Sequence, residues 1–280
     1  MIVGLAAALV AATCYGFGSV LQAMAASRSV ATERLDVVLL ARLVGQWRYV
    51  CGLGLDLAGF VAAVVALRTL PLFVVQAAVA SSVGVTALAA ALLLHAHLVR
   101  GERRALVGLL AGLVLLAAAG RPEHALRLAE PGPGLLLAGA VALAILLFLP
   151  VRAANTHAAA GLAAGAGAAF GAVGIAARAF QVPAHWTHAF ADPLLYAIVA
   201  HGVIASLLLA RALQRGKVTI VAAVMFAVET IVPAVVGVAW LGDRARAGMV
   251  PVAIAGFALT VGACVALARF AELPAPAPTA

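Results

Sequence analysis

Apolar residues run almost without interruption along this chain, and the polar positions that break the runs define its elements. Nine stretches are long enough to span a bilayer as helices: 2–26, 48–67, 71–95, 104–120, 134–151, 158–180, 193–211, 218–241 and 248–269. Pro71, Pro193 and Pro251 stand at or near predicted helix starts, where a missing N–H costs little. Segment 33–46 is apolar but broken by Asp36 and Arg42, so it reads as a short interfacial helix. The turn-rich stretch 121–133 is a loop, and the tail 271–280 reads as disordered. Strands are not expected, because the ~10-residue alternation of a membrane barrel is missing.

The composition agrees with that pattern. The 280 residues are 66% hydrophobic and only 10% charged, against about 45–50% and about 25% for a soluble domain. The fold class is therefore an all-α integral membrane protein. The first stretch lacks a basic leader and is too long for a signal peptide, so it reads as a retained helix. The net charge of +8 is scattered over the loops and forms no stripe for nucleic acid. It acts instead as a topology signal. Alternate loops hold Arg28, Arg34, Arg42, Arg48, Arg100, Arg103, Arg104, Arg152, Arg211, Arg215, Lys217 and Arg269 on one side, and Arg68, Arg121, Arg127, Arg178, Arg244 and Arg246 on the other. The first set is twice as large and is placed in the cytoplasm, which puts the N-terminus outside and the C-terminus inside. Trp47 and Tyr49 at one interface and Trp240 at the other fit aromatic belts.

The chain also resembles itself. Residues 66–79 (ALRTLPLFVVQAAV) parallel 212–225 (ALQRGKVTIVAAVM), and 4–18 parallels 161–174. The units are then a first four-helix repeat within 1–120, a connector with the fifth span in 121–152, and a second four-helix repeat within 153–270. A single connecting span inverts the second unit, which is a common plan of secondary transporters.

Candidate chemistry lies in the few polar residues inside the spans. A carboxylate at mid-bilayer costs about 2.5–3.5 kcal/mol on insertion scales, so Asp56 and Glu229 are expected to face protein or water. Asp56 shares a face with Gly52, Gly59 and Ala63, small residues that let a neighbouring helix approach. Glu229 lies one turn before Pro233, which frees the Glu229 carbonyl and favours a kink. Both are candidates for a cation or proton site, with a structural carboxylate as the competing reading. Tyr15, Ser19 and Gln22 form a stripe on the first span. Gln76, Ser82 and Thr86 lie on the third, and His201 is an ionisable group within the seventh. Each of these either lines a cavity or bonds one helix to another.

Other features point to packing. Gly161, Gly165, Gly167, Gly171 and Gly174 follow no strand and read as a close-packing face, not a nucleotide loop. His185 and His188 have metal-like spacing without further ligands, and His95 and His97 read as interfacial. Cys14, Cys51 and Cys264 read as small packing residues. No nucleophile–base set is present, so no enzymatic activity, cofactor or metal centre is expected.

The stretch FAVETIVPAVVGVAWLGDRARAGMVPVAIAGFALTVGA (226–263) resembles the end of an EamA-type unit of the drug/metabolite transporter superfamily. Glu229, Pro233, Gly242, Asp243, Arg244 and Gly256 match its Glu–Pro helix, its Gly-acid-Arg turn and its small-residue helix. Here Pro233 falls four residues after the glutamate instead of next to it, and the turn acid is Asp instead of Glu. GLGLDLAGFVAAVVALRTLPLFVVQ (52–76) is similar to the NIPA-like branch, and Gly101, Glu102 and Arg103 resemble the first-half turn. The resemblance implies inverted repeats and alternating-access transport of a small solute (a metabolite, a drug-like compound or a cation) across the cytoplasmic membrane. The residues nominated for binding are Asp56, Glu229, Gln22, Gln76, Tyr15, Ser19 and His201. The expected partners are that solute and membrane lipid, with a homodimer left open. The alternative is a non-transporting scaffold or lipid-binding partner of a cell-envelope enzyme.

Overall fold

The computed structural model describes residues 1–26, 45–93, 99–123, 126, 128–148, 156–181, 186–215 and 218–270. These residues form ten α-helices: α1 (Ile2–Ala26), α2 (Trp47–Ala66), α3 (Leu72–Ala80), α4 (Ser82–Leu93), α5 (Arg100–Ala119), α6 (Gly132–Phe148), α7 (Thr156–Ala179), α8 (Pro193–Leu213), α9 (Val218–Trp240) and α10 (Val250–Phe270). A short 3₁₀ helix, Trp186–Ala191, precedes α8. Among the described residues the only extended pairing is an isolated bridge between Gly120 and Ala245. The interfacial helix expected at 33–46 and the tail at 271–280 lie essentially outside the described residues, as do His95, His97 and His185.

Among the described residues, seven helical stretches are long and apolar enough to cross a membrane: α1, α2, α3 with α4 over Leu72–Ala89, α7, α8, α9 and α10. This is the make-up of a multi-pass membrane protein. The remaining two expected spans are helical but differ in kind. The first turn of α5 carries Arg100, Glu102, Arg103 and Arg104. Helix α6 is apolar but has only 17 residues.

The sequence explains where helices begin and end. Asp192 caps α8, accepting from the Leu194 N–H at 2.9 Å, with Pro193 in the first turn. Helices α3 and α4 are one span broken at Ser81, whose hydroxyl donates to the Ala78 carbonyl at 2.6 Å. Such back-bonding competes with the helix ladder and bends it. Pro233 lies within α9, which continues through it.

Helix α1 packs along α2 and also touches α3 and α4, while α7 packs along α8 and α9. Helix α5 lies along α10, and α3 meets α9 at the centre. Close contact depends on glycine. A Cβ on Gly18 would come 3.1 Å from the Gly52 carbonyl oxygen, and one on Gly52 would come 3.0 Å from that of Gly18. The largest buried cluster joins Ala8, Ala11, Ala63, Leu72, Val75, Ala176 and Leu194, which come from α1, α2, α3, α7 and α8. Valines and isoleucines at the periphery, such as Val61, Val107, Val203 and Ile254, stay exposed and face where lipid would lie.

Candidate functional site

A cavity of about 280 Å³ lies at the centre of the bundle, where α1, α2, α3, α7 and α9 converge. Its polar lining is Tyr15, Ser19, Gln76, Ser82 and Glu229, and Phe60, Phe170 and Phe226 supply aromatic walls. Glu229 is the only acid in the lining. Pro233 packs on α7 at Gly171, and a Cβ there would lie 2.8 Å from the proline ring and 3.5 Å from the Glu229 carbonyl oxygen. Gln76 is buried against Gly174, where a Cβ would come 2.3 Å from its Nε2. The glycine face predicted for this helix is thus the surface that admits α9 and Gln76. Ser19 donates to the Tyr15 carbonyl at 2.8 Å and is exposed.

Four of the seven nominated residues therefore meet in one cavity, and three do not. Asp56 faces α1, as its small-residue face requires, and accepts from Gln22 Nε2 at 2.6 Å. That pair lies outside the cavity lining. His201 is 1% exposed and its Nδ1 lies 2.9 Å from the Ala197 carbonyl oxygen one turn earlier. It packs near Gly139 of α6, away from Glu229. Thr86 bonds helices, reaching the Ser82 carbonyl at 2.9 Å and the Gly16 carbonyl at 3.3 Å.

The strongest polar arrangement lies beside the cavity and joins residues that sequence reasoning had scattered. Arg178 at the end of α7 and Asp243 in the turn before α10 form an ion pair at 2.8 Å, each 0% exposed. Arg178 also donates to the carbonyls of Leu67 and, at 3.1 Å, Glu123. The second oxygen of Asp243 accepts the Leu72 N–H at 2.5 Å, capping α3 from a distant part of the chain. Gly242 takes φ 75°, a left-handed turn that glycine accepts without strain and that brings the acid inward. Burial pushes the Asp243 carboxyl up from its ordinary range, while the charge of Arg178 and the Leu72 N–H oppose the shift.

Arg68 completes the arrangement by donating to the carbonyls of Phe180 and, at 3.1 Å, Ala177. Burial, then the neighbouring Arg178 charge, lowers its pKa. Each arginine thus caps the C-terminal end of the helix at whose end the other one lies. Leu67 and Ala177, whose carbonyls they hold, line the cavity. A second tie runs alongside, with the Arg121 N–H on the Arg244 carbonyl at 3.2 Å and the Arg246 N–H on the Ala119 carbonyl at 2.8 Å. The described members of the smaller basic set, Arg68, Arg121, Arg178, Arg244 and Arg246, therefore gather at one end of the bundle, as alternation of spans requires. The signal for this latch in the sequence was the Gly-acid-Arg turn at Gly242–Arg244. Nothing local marked Arg178 as its partner.

Neither a family model, nor a curated protein, nor a solved structure matches this chain.

Proposed function

We propose that the chain is a secondary transporter of the drug/metabolite transporter type, moving a small organic solute across the cytoplasmic membrane by alternating access. One observation carries the reading: a central cavity with one carboxylate, Glu229, is lined by helices from both halves of the chain. A carboxylate held among apolar helices is costly and marks solute or ion paths.

The packing supports an inverted repeat. Helix α1 contacts α2 and the α3–α4 span, as α7 contacts α8 and α9, while α3 meets α9 and α5 meets α10 across the proposed pseudo-two-fold. In this reading α5 and α6 complete the nine spans. On this reading the loop charges favour an outer N-terminus, with the latch at the outer face. The latch closes that end of the cavity.

The lining favours a small organic cation. One acid beside Tyr15, Phe60, Phe170 and Phe226 combines a counter-charge with aromatic faces that attract ammonium groups. A hydrated divalent ion would favour several converging carboxylates, and Asp56 is engaged elsewhere.

Flux into proteoliposomes tests the reading. A panel of small ammonium compounds is offered to the intact chain, to Glu229→Gln and to Asp56→Asn. Transport by the intact chain, its loss in Glu229→Gln and its retention in Asp56→Asn are expected. Equal flux in all three folded proteins overturns the site. No flux with any solute, with a protein co-purifying in fixed ratio, favours a scaffold instead.

A further inference from the structure

A second concavity opens sideways, on the lipid-facing flank between α9 and α10. Its volume is about 760 Å³, far larger than the central cavity. Small residues leave it room: Ala234 and Ala239 on α9 and Ala253 and Ala258 on α10 line it, together with Phe73 of α3. The rims are bulky and exposed, with Val235 57%, Val238 59% and Ile254 65% accessible. Such a slot in a membrane is filled by acyl chains.

Its upper end is not apolar. Arg244 and Asp243 stand there, in the turn between the two helices. Asp243 is committed to Arg178 and so does not neutralise Arg244. Arg244 is exposed and belongs to no ion pair among the described residues. Two residues on, Arg246 turns to the thioether sulfur of Met1, at 3.1 Å, and does not line the groove. Trp240, 65% exposed at the end of α9, marks the interfacial level at which Arg244 lies. An apolar slot beneath an unneutralised arginine at headgroup depth is complementary to one kind of molecule.

We propose that this groove binds an anionic phospholipid, its acyl chains between α9 and α10 and its phosphate at Arg244. The site is separate from the central cavity and stands independently of the transport reading. Because it shares the turn that carries Asp243, the bound lipid would brace the latch from outside.

A tryptophan in the groove reports on the site. The full chain carries Val238→Trp at a lining position, with Trp47→Phe, Trp186→Phe and Trp240→Phe so that this indole is the sole one, and is placed in phosphatidylcholine nanodiscs. Phosphatidylglycerol or further phosphatidylcholine with brominated acyl chains is then titrated in. Bromine quenches the indole on contact. An arginine near a charged surface favours an anionic headgroup by about fivefold, which is the preference expected for phosphatidylglycerol. Arg244→Gln, a surface change, should reduce that preference to near unity. Ala253→Phe, which fills the slot, should lower quenching by both lipids. Equal quenching by the two lipids with Arg244 intact, or a preference untouched by Arg244→Gln, overturns the proposal. An indole shielded from both lipids in a dimeric particle assigns the groove to a second copy of the chain and overturns it as well.

Discussion

Arg178 and Asp243 meet at 2.8 Å with both side chains fully buried, joining the end of α7 to the turn between α9 and α10 across 65 residues of sequence. A buried ion pair is weak evidence of net stability on its own, because desolvating two charges offsets most of their attraction. Here further bonds satisfy most of the pair, and of its atoms only Arg178 Nε is left without an acceptor among the described residues. The carboxylate also accepts the Leu72 N–H, and the guanidinium holds the Leu67 and Glu123 carbonyls. Four segments of the chain are thereby tied at one point.

Removing both partners should therefore cost less than the sum of removing each. Asp243→Asn leaves a buried guanidinium without its counter-charge, a loss of about 3–5 kcal/mol. Arg178→Met combined with Asp243→Leu should destabilise by less than the sum of the single changes. Thermal unfolding in detergent of the two singles and the double checks this, and additive losses would show that the pair is not coupled.

Asp56 and Gln22 give a contrasting case. The carboxylate is half-buried between α1 and α2 and takes its hydrogen bond from Gln22 alone among the described side chains. Gln22→Ala leaves it without a donor at a cost of about 1–3 kcal/mol, whereas Asp56→Asn keeps a hydrogen bond and should cost less. The order of the two melting temperatures is the readout.

The helices were largely legible in the sequence, because an apolar run between charged turns has no other stable form in lipid. Ile2–Ala26, Pro193–Leu213 and Val218–Trp240 fall within two residues of the apolar runs at each end. The break at Ser81 was not legible, since neither proline nor glycine marks it. Of the cavity lining, Tyr15, Ser19, Gln76 and Glu229 were legible because polar groups at depth are rare. Their separation from Asp56 and His201 was hidden, because each acid or imidazole carries the same insertion cost whether it lines a cavity or bonds to a neighbour. The latch was the least visible part. Arg178 looked like one more topological charge, and only folding shows that it turns inward.

Two glycines on α7 separate close packing from cavity shape. A Cβ on Gly167 would stand 2.4 Å from the Met225 carbonyl oxygen, so α7 and α9 would have to move apart. Gly167→Ala should cost about 1–3 kcal/mol. A Cβ on Gly174 meets instead the flexible end of Gln76. Gly174→Ala should keep the fold, shift Gln76 within the cavity and weaken solute affinity. Melting temperature and solute binding measured on both variants distinguish these outcomes.

The latch also predicts which side of the membrane reaches the cavity. Leu67 and Ala177 line the cavity, and their carbonyls are held by Arg178 and Arg68. Water entering from that end must first break these bonds. Val64 lines the cavity within α2, below the latch, so a cysteine there reports access. In a protein whose native Cys14, Cys51 and Cys264 are replaced by serine or alanine, Val64→Cys should react with an impermeant thiol reagent only from the side opposite the latch. Adding Asp243→Asn frees Arg178 and should open the second route, so that labelling proceeds from both sides. Labelling from the latch side before that change would place the closed end elsewhere. Unchanged one-sided labelling after it would show that helix packing, not the ion pair, seals the cavity.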